Sequence, residues 1–515
     1  MKRGPKRKNL PTIHPGVAII TNCSPSLLEG ERNARVVSRD ESLMSKGNNI
    51  TLYDLVPVKT VYTMIDTFID KSNVLETLGL TKKYLHCLLK NSQFFVVAGV
   101  LCLVCFIHPE YKEYLQNLYK YVHFQRIILR TDIKDKLEFL IGYFIESELA
   151  FRNLEFLNAE SYLKDVASTV QVFNFHLMDD IHCETHSAKE KLVSVLLGKN
   201  VDKESIDMSL NEILCLIRNV YWTIVMTERY AGLGAGVVSQ LRIETHNVGL
   251  PDSGLTISEP CSSLFDLNTD VFSLPIEYRQ LSIFELKIIL LNRVEESSVW
   301  FKKMDFVSKN NAVPALRNDI ISKSMNYEAE LDKYFECVTL LLDPSVLQST
   351  EFVLQIKSLY IVAKCLIAEG VVQLLASIPE KTSFDQHIIS SKTEHLLSDV
   401  LHLKEYFTVD ITLKETFHIF IVYELLKLLA CHSATVVGEE DAQLVDFTSQ
   451  LVSIINKLAY EGENVFAKKA LDEYNSTLQT KVLDSFFFYE GLSKLATNKF
   501  TLFDGFMYET NEDIF

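Results

Sequence analysis

From Leu52 onward, apolar residues recur at three- and four-residue spacing, the period of a helix that buries one face. That period predicts helices over 55–72, 80–107, 109–123, 133–151, 158–175, 186–198 and 209–231, and a second series over 280–304, 311–341, 350–376, 387–404, 412–433, 440–460 and 464–497. The helix at 209–231 is the best marked: Ser209 and Glu212 form a capping box, and Ile213, Ile217, Val220, Ile224 and Val225 follow at helical spacing. In the segment 350–376, Val353, Ile356, Tyr360, Ala363 and Ile367 fall on one apolar face suited to packing on neighbouring helices. The longest apolar run, Phe94 to Ile107, has fourteen residues, which is too short to span a bilayer and reads as a buried core helix.

Three stretches break this pattern. Residues 1–48 mix basic residues with Pro, Ser and Asn and show no helical period, so a disordered basic arm is expected. Residues 246–275 are rich in Pro, Ser, Gly and Asp and read as a loop between a first helical half, 49–245, and a second, 276–498. Residues 499–515 alternate aromatic and acidic side chains, including Phe503, Asp504, Phe506 and Met507, a composition typical of activation segments that fold onto a coactivator groove. With only 18 Gly and 12 Pro, breakers are too scarce for a many-stranded sheet, and no repeat of about thirty to fifty residues marks a regular solenoid. The expected fold is all-α, a large irregular multi-helix body.

Charge narrows the partners. The formal net charge is −16, yet the first ten residues bring five cations (Lys2, Arg3, Lys6, Arg7, Lys8) and no acid, so the remainder carries −21. A body this acidic repels phosphate, so any DNA contact is weak or indirect and local to the N-terminus, where the basic cluster also suits nuclear import. The ten cysteines are scattered, several within apolar helical stretches, as small buried hydrophobes would be.

Candidate chemistry is thin. Cys102 and Cys105 have metal or redox spacing but lie inside the apolar run with no second pair beside them. Asp179, Asp180, His182, Cys183, Glu184 and His186 concentrate possible ligands within eight residues, and His182 and His186 would share a helix face, although a charged loop explains the same composition. Gly232, Gly234 and Gly236 are spaced like a phosphate loop but follow a helix instead of a strand, so they read as a flexible helix exit. No nucleophile elbow, zinc-protease helix or phosphate-loop lysine occurs, and an enzyme is not expected.

One group of motifs carries a family resemblance. Arg218-Asn219-Val220-Tyr221-Trp222, followed by Glu228-Arg229, resembles the central helix of the regulatory region in fungal zinc-cluster transcription factors, and Val225-Met226-Thr227-Glu228-Arg229 is similar to maltose-activator-type regulators. Lys2-Arg3-Gly4-Pro5-Lys6-Arg7-Lys8 resembles the basic linker that follows the zinc cluster in those proteins, and Phe173-Asn174-Phe175-His176 resembles the step after an earlier helix. The resemblance covers about residues 2–245. It implies a nuclear regulator of carbohydrate (maltose-type) utilisation genes, working with transcription machinery or a coactivator. It further implies a homodimer or a heterodimer with a zinc-cluster protein, and a small-molecule inducer. The six-cysteine module of that family does not occur in these 515 residues, so no cofactor is expected, and zinc only with such a cluster present. The alternative is a helical scaffold or adaptor with no direct transcriptional role.

The signature residues themselves read as structural. Arg218 and Trp222 stand four apart, placing the guanidinium to lie over the indole, with Glu228 and Arg229 at the helix end to pair with neighbouring helices.

Overall fold

A computed structural model describes residues 50–71, 78–131, 135–153, 155–179, 186–197, 208–235, 240–241, 247–252, 270, 281–309, 313–376, 382–404 and 439–461, with isolated residues between 407 and 475. The basic cluster Lys2 to Lys8, the tail residues Phe503, Asp504, Phe506 and Met507, and the helices expected at 412–433 and 464–497 lie wholly or largely outside them. Among the described residues there is no strand, and the fold is all-α. No described helix is long and apolar enough to cross a membrane.

The first series of helices comprises α1 (Val58–Lys71), α2 (Lys82–Lys90), α3 (Phe95–Ile107), α4 (Leu115–Thr131), α5 (Lys136–Arg152), α6 (Phe156–Val172), α7 (His186–Leu196) and α8 (Leu210–Ala235). The second comprises α9 (Ile283–Lys309), α10 (Val313–Leu341), α11 (Ser358–Ala376), α12 (Ser383–Leu401) and α13 (Glu439–Asn456). Residues from Leu55 onward gather into one unit, and α8 packs on α9 across the stretch that composition marks as a break.

The helix expected over 80–107 is two helices. α2 stops in a Schellman closure: Gln93 N–H donates to Leu88 O at 2.9 Å and Ser92 N–H to Leu89 O at 3.2 Å, with Ser92 left-handed at φ 58°. A non-glycine residue there costs about 1 kcal/mol or more, offset by the burial that the turn permits. α3 then runs through the centre of the first series, buried from Phe95 to Cys105. It touches α5 through two glycines. A Cβ on Gly142 would lie 2.3 Å from the Phe95 ring, and one on Gly99 would lie 2.7 Å from Ile145 Cγ2. Small residues at both contact points let the two backbones approach, and neither can grow without displacing the other helix.

In the second series α11 packs against α9, α10 and α12. Val353, Ile356, Ala363 and Ile367 are buried as the expected apolar face, and Tyr360 is half-buried, its hydroxyl donating to Asp332. The face is not continuous α-helix, because Val353–Lys357 forms a π-turn. Ser358 is fully buried there, and Val353 O accepts both its backbone N–H, across the wider turn, and its hydroxyl at 2.8 Å, so the buried hydroxyl is satisfied within the helix itself.

Candidate functional site

The signature residues lie on α8, whose start is the expected capping box: Ser209 N–H donates to Glu212 Oε2 at 2.6 Å, and Glu212 N–H to Ser209 Oγ at 3.3 Å. The helix continues through Ala235, so Gly232 and Gly234 belong to it and do not form the expected exit; Gly236 lies outside the described residues.

Arg218 turns away from the expected stacking partner. Its guanidinium grips Asp179 with both arms, Nε to Oδ2 at 2.9 Å and Nη2 to Oδ1 at 2.7 Å, and no cation–π contact with Trp222 is present among the described residues. A bidentate carboxylate offers a buried guanidinium more than a ring face does. Asp179 in turn accepts Gly249 N–H at 2.8 Å, while Trp222 Nε1–H donates to Gly249 O at 2.9 Å. Two backbone bonds complete the strap: Asn247 N–H to His176 O at 2.7 Å and Asp179 N–H to Asn247 O at 2.9 Å. Asp179 thus appears here as the anchor of Arg218. The loop expected at 246–275 is therefore, over 247–252, an ordered strap with Val248 and Leu250 buried.

Tyr221 and Trp222 are both buried and meet edge to face, with centroids 5.2 Å apart. Further along α8, Glu228 accepts Gln240 N–H at 2.7 Å and Leu241 N–H at 3.1 Å, holding the chain after the helix. Arg229 pairs with Glu295 of α9 at 3.2 Å, as the expectation of pairing with a neighbouring helix required. All five signature residues therefore serve as internal fastenings.

Sequence reasoning missed Gly249, Glu295 and a second polar band on α9. Arg293 pairs with Glu330 of α10 at 3.3 Å, burial pushes the Glu296 carboxyl up, and both amide atoms of the buried Asn292 lack a hydrogen-bond partner among the described residues. A second capping box, Ser282 with Glu285, starts α9, and Glu285 also accepts Asp252 N–H at 3.1 Å from the strap. Its Ser-x-x-Glu pattern was visible in the sequence; its link to Asp252 was not.

Compared with protein-family models, curated proteins and solved structures, the chain matches none.

The other candidates resolve as follows. Cys102 and Cys105 are buried free thiols; burial raises both, Cys105 to about 12, so neither is a thiolate near neutral pH. Among the described residues no group of three or more His, Cys, Asp or Glu side chains is placed to hold a metal ion, and Asp180 to Glu184 lie outside them. Two other polar groupings stand out. Between α4, α5 and α6, the buried Glu146 meets Arg126 Nε and His123 Nδ1, each at 3.2 Å, and the guanidinium lies 4.4 Å from the Tyr162 ring centroid. At the junction of α2, α3 and α5, Asp135 and Glu138 are buried together: Asp135 Oδ1 accepts Glu138 N–H at 2.9 Å, Asp135 Oδ2 accepts from the Gln93 amide at 2.9 Å, and Glu138 Oε1 accepts Phe95 N–H at 3.3 Å. Burial raises the first carboxyl to about 6 and the second to about 8, the latter helped by the first.

Proposed function

We propose that the chain is the regulatory body of a transcription regulator of the fungal zinc-cluster type, controlling carbohydrate utilisation genes through partners instead of reading DNA with this body. The observation that supports this reading best is the signature on α8. Arg218, Tyr221, Trp222, Glu228 and Arg229 all act as internal fastenings of one central helix, a role that accounts for why such residues recur together as a signature of a fold. The contrast between five cations in residues 2–8 and a −21 remainder supports nuclear import and argues against a broad DNA surface. In this reading DNA is reached through a dimer partner or coactivator, and the Phe503 to Met507 segment supplies the contact with the transcription machinery.

The test is localisation and tethering in a fungal cell. A fluorescent fusion of the full chain is expected in the nucleus and, with Lys2, Arg3, Lys6, Arg7 and Lys8 replaced by alanine, in the cytoplasm. Tethered to a heterologous DNA-binding domain, the chain is expected to change reporter transcription. Cytoplasmic residence of the unaltered chain together with a silent reporter would favour the scaffold reading.

A further inference from the structure

Unlike Asp179 and Glu146, which meet Arg218 and Arg126, the Asp135–Glu138 pair has no cation among the described residues, and it sets two carboxyls side by side. Asp135 caps the N-terminus of α5, whose third residue is Glu138, and Glu138 reaches across to Phe95 N–H at the start of α3, a helix whose own N-cap supplies no side-chain bond. One pair of carboxyls thus caps two helices. The two residues are 8% and 4% exposed. The groups facing them from each packed element are few. From α2 come the Tyr84 hydroxyl, buried with no hydrogen-bond partner among the described residues, and the Cys87 thiol; from the α2–α3 turn comes the Gln93 amide, which serves both carboxyls. Lys90 of α2 is exposed and acts on Cys87, and Lys136 points its ammonium at the Phe173 ring, 5.0 Å from the centroid.

Two helix N-termini favour negative charge here, each through a partial charge only. Carrying a second full anion into a dry junction costs more than those partial charges return. The second effect wins, and a neutral–anionic pair is the state that satisfies both. We propose that Asp135 and Glu138 hold one proton between them at neutral pH, and that its release to water loosens the joint of α2, α3 and α5, making it a pH-sensitive latch. With the proton present, the anionic member caps its helix and the neutral member still accepts from a backbone N–H. With it gone, two like charges share a site that has no counter-ion among the described residues, and relief requires water to enter between α3 and α5 or the Tyr84 hydroxyl to swing onto a carboxylate. Both movements disturb the Phe95 N–H contact first, since it is the longest of the three bonds.

Hydrogen exchange on the full chain, corrected for the intrinsic pH dependence of exchange, tests this directly. Between about pH 6 and pH 8.5, protection of the amides of 95–99 and 136–142 is expected to fall about tenfold or more, while peptides from α9 and α11 hold theirs. Glu138→Gln, a neutral isostere, is expected to reduce that fall to less than about threefold, and Asp135→Asn to do the same. Equal loss of protection in both variants and the parent, or no loss in the parent, would overturn the latch. So would failure of both variants to fold at about pH 6, because a pair that already carries a proton there tolerates one neutral amide. If only one variant folds, the peptides of that variant decide.

Discussion

Among the buried carboxylates that fasten this fold, Asp179 has a cation, and the Asp135–Glu138 pair has none among the described residues. Asp179 receives both arms of Arg218 and one backbone N–H from the strap, so its charge is matched where it sits. Asp135 and Glu138 receive backbone N–H groups and one amide, with no guanidinium or ammonium among the described residues. Both sites do the same mechanical work, holding one segment of the chain against a helix. They differ in what sets their strength: the first depends on an ion pair staying intact, the second on a proton staying bound. A buried charge is tolerated when something neutralises it, and the molecule uses both available means.

Breaking the matched site gives the largest effect. Arg218→Met leaves Asp179 buried and unpaired and is expected to destabilise the chain by about 3–5 kcal/mol in urea unfolding. Adding Asp179→Asn should restore part of this, and strict additivity of the two changes would show that the pair is not coupled.

The unmatched site is sharpened by pH. Both folded carboxyls titrate above their ordinary values, so the native state binds more protons than the unfolded chain between about pH 4 and pH 8. The stability they contribute is complete below about pH 4 and is lost as pH rises through about 6 and then about 8. The expected loss over that window is about 2–4 kcal/mol, read from urea midpoints, and Glu138→Gln should remove most of it. A parent protein whose midpoint is flat from about pH 5 to 9 would place the pair with the matched site instead.

Gly142→Ala probes packing at the unmatched joint without touching charge. The new methyl meets the Phe95 ring, and a loss of about 1–3 kcal/mol is expected, independent of pH. Ser209→Ala gives the smallest change, about 1 kcal/mol, because that capping box lies in solvent, where water replaces what is removed.

Much of the helical frame was legible because periodicity is local. The Ser209–Glu212 box and the apolar faces of α8 and α11 needed only spacings of three and four. Where the expectation failed, a distant residue had outbid a near one. Arg218 is four residues from Trp222 but takes Asp179, thirty-nine residues away, a partner that local spacing cannot rank. The helix expected over 80–107 breaks at Ser92, although serine carries no strong left-handed signal, because the Schellman bonds and the burial of α3 outweigh its preference. The strap at 247–252 has a loop's composition, and only the polar groups of Asp179, Trp222 and Glu285 make it part of the interior. The Asp135-x-x-Glu138 pattern is an ordinary helix start in the sequence, and its burial is a property of α2 and α3 closing over it.

The π-turn at Val353–Lys357 bears on how the chain can change length. Each residue of a regular helix turns the next by about 100°, so deleting one from the middle of α11 would swing every later side chain off its face and take Gly370 away from the Trp300 ring, which leaves no space for a Cβ. A π-turn already holds one residue more than an α-turn needs. Removing Gln355 would let the segment close as ordinary helix while the two flanks keep their orientation. The turn is thus a stored insertion, the place along this helix where evolution can add or subtract a single codon and leave the packing of both ends in phase.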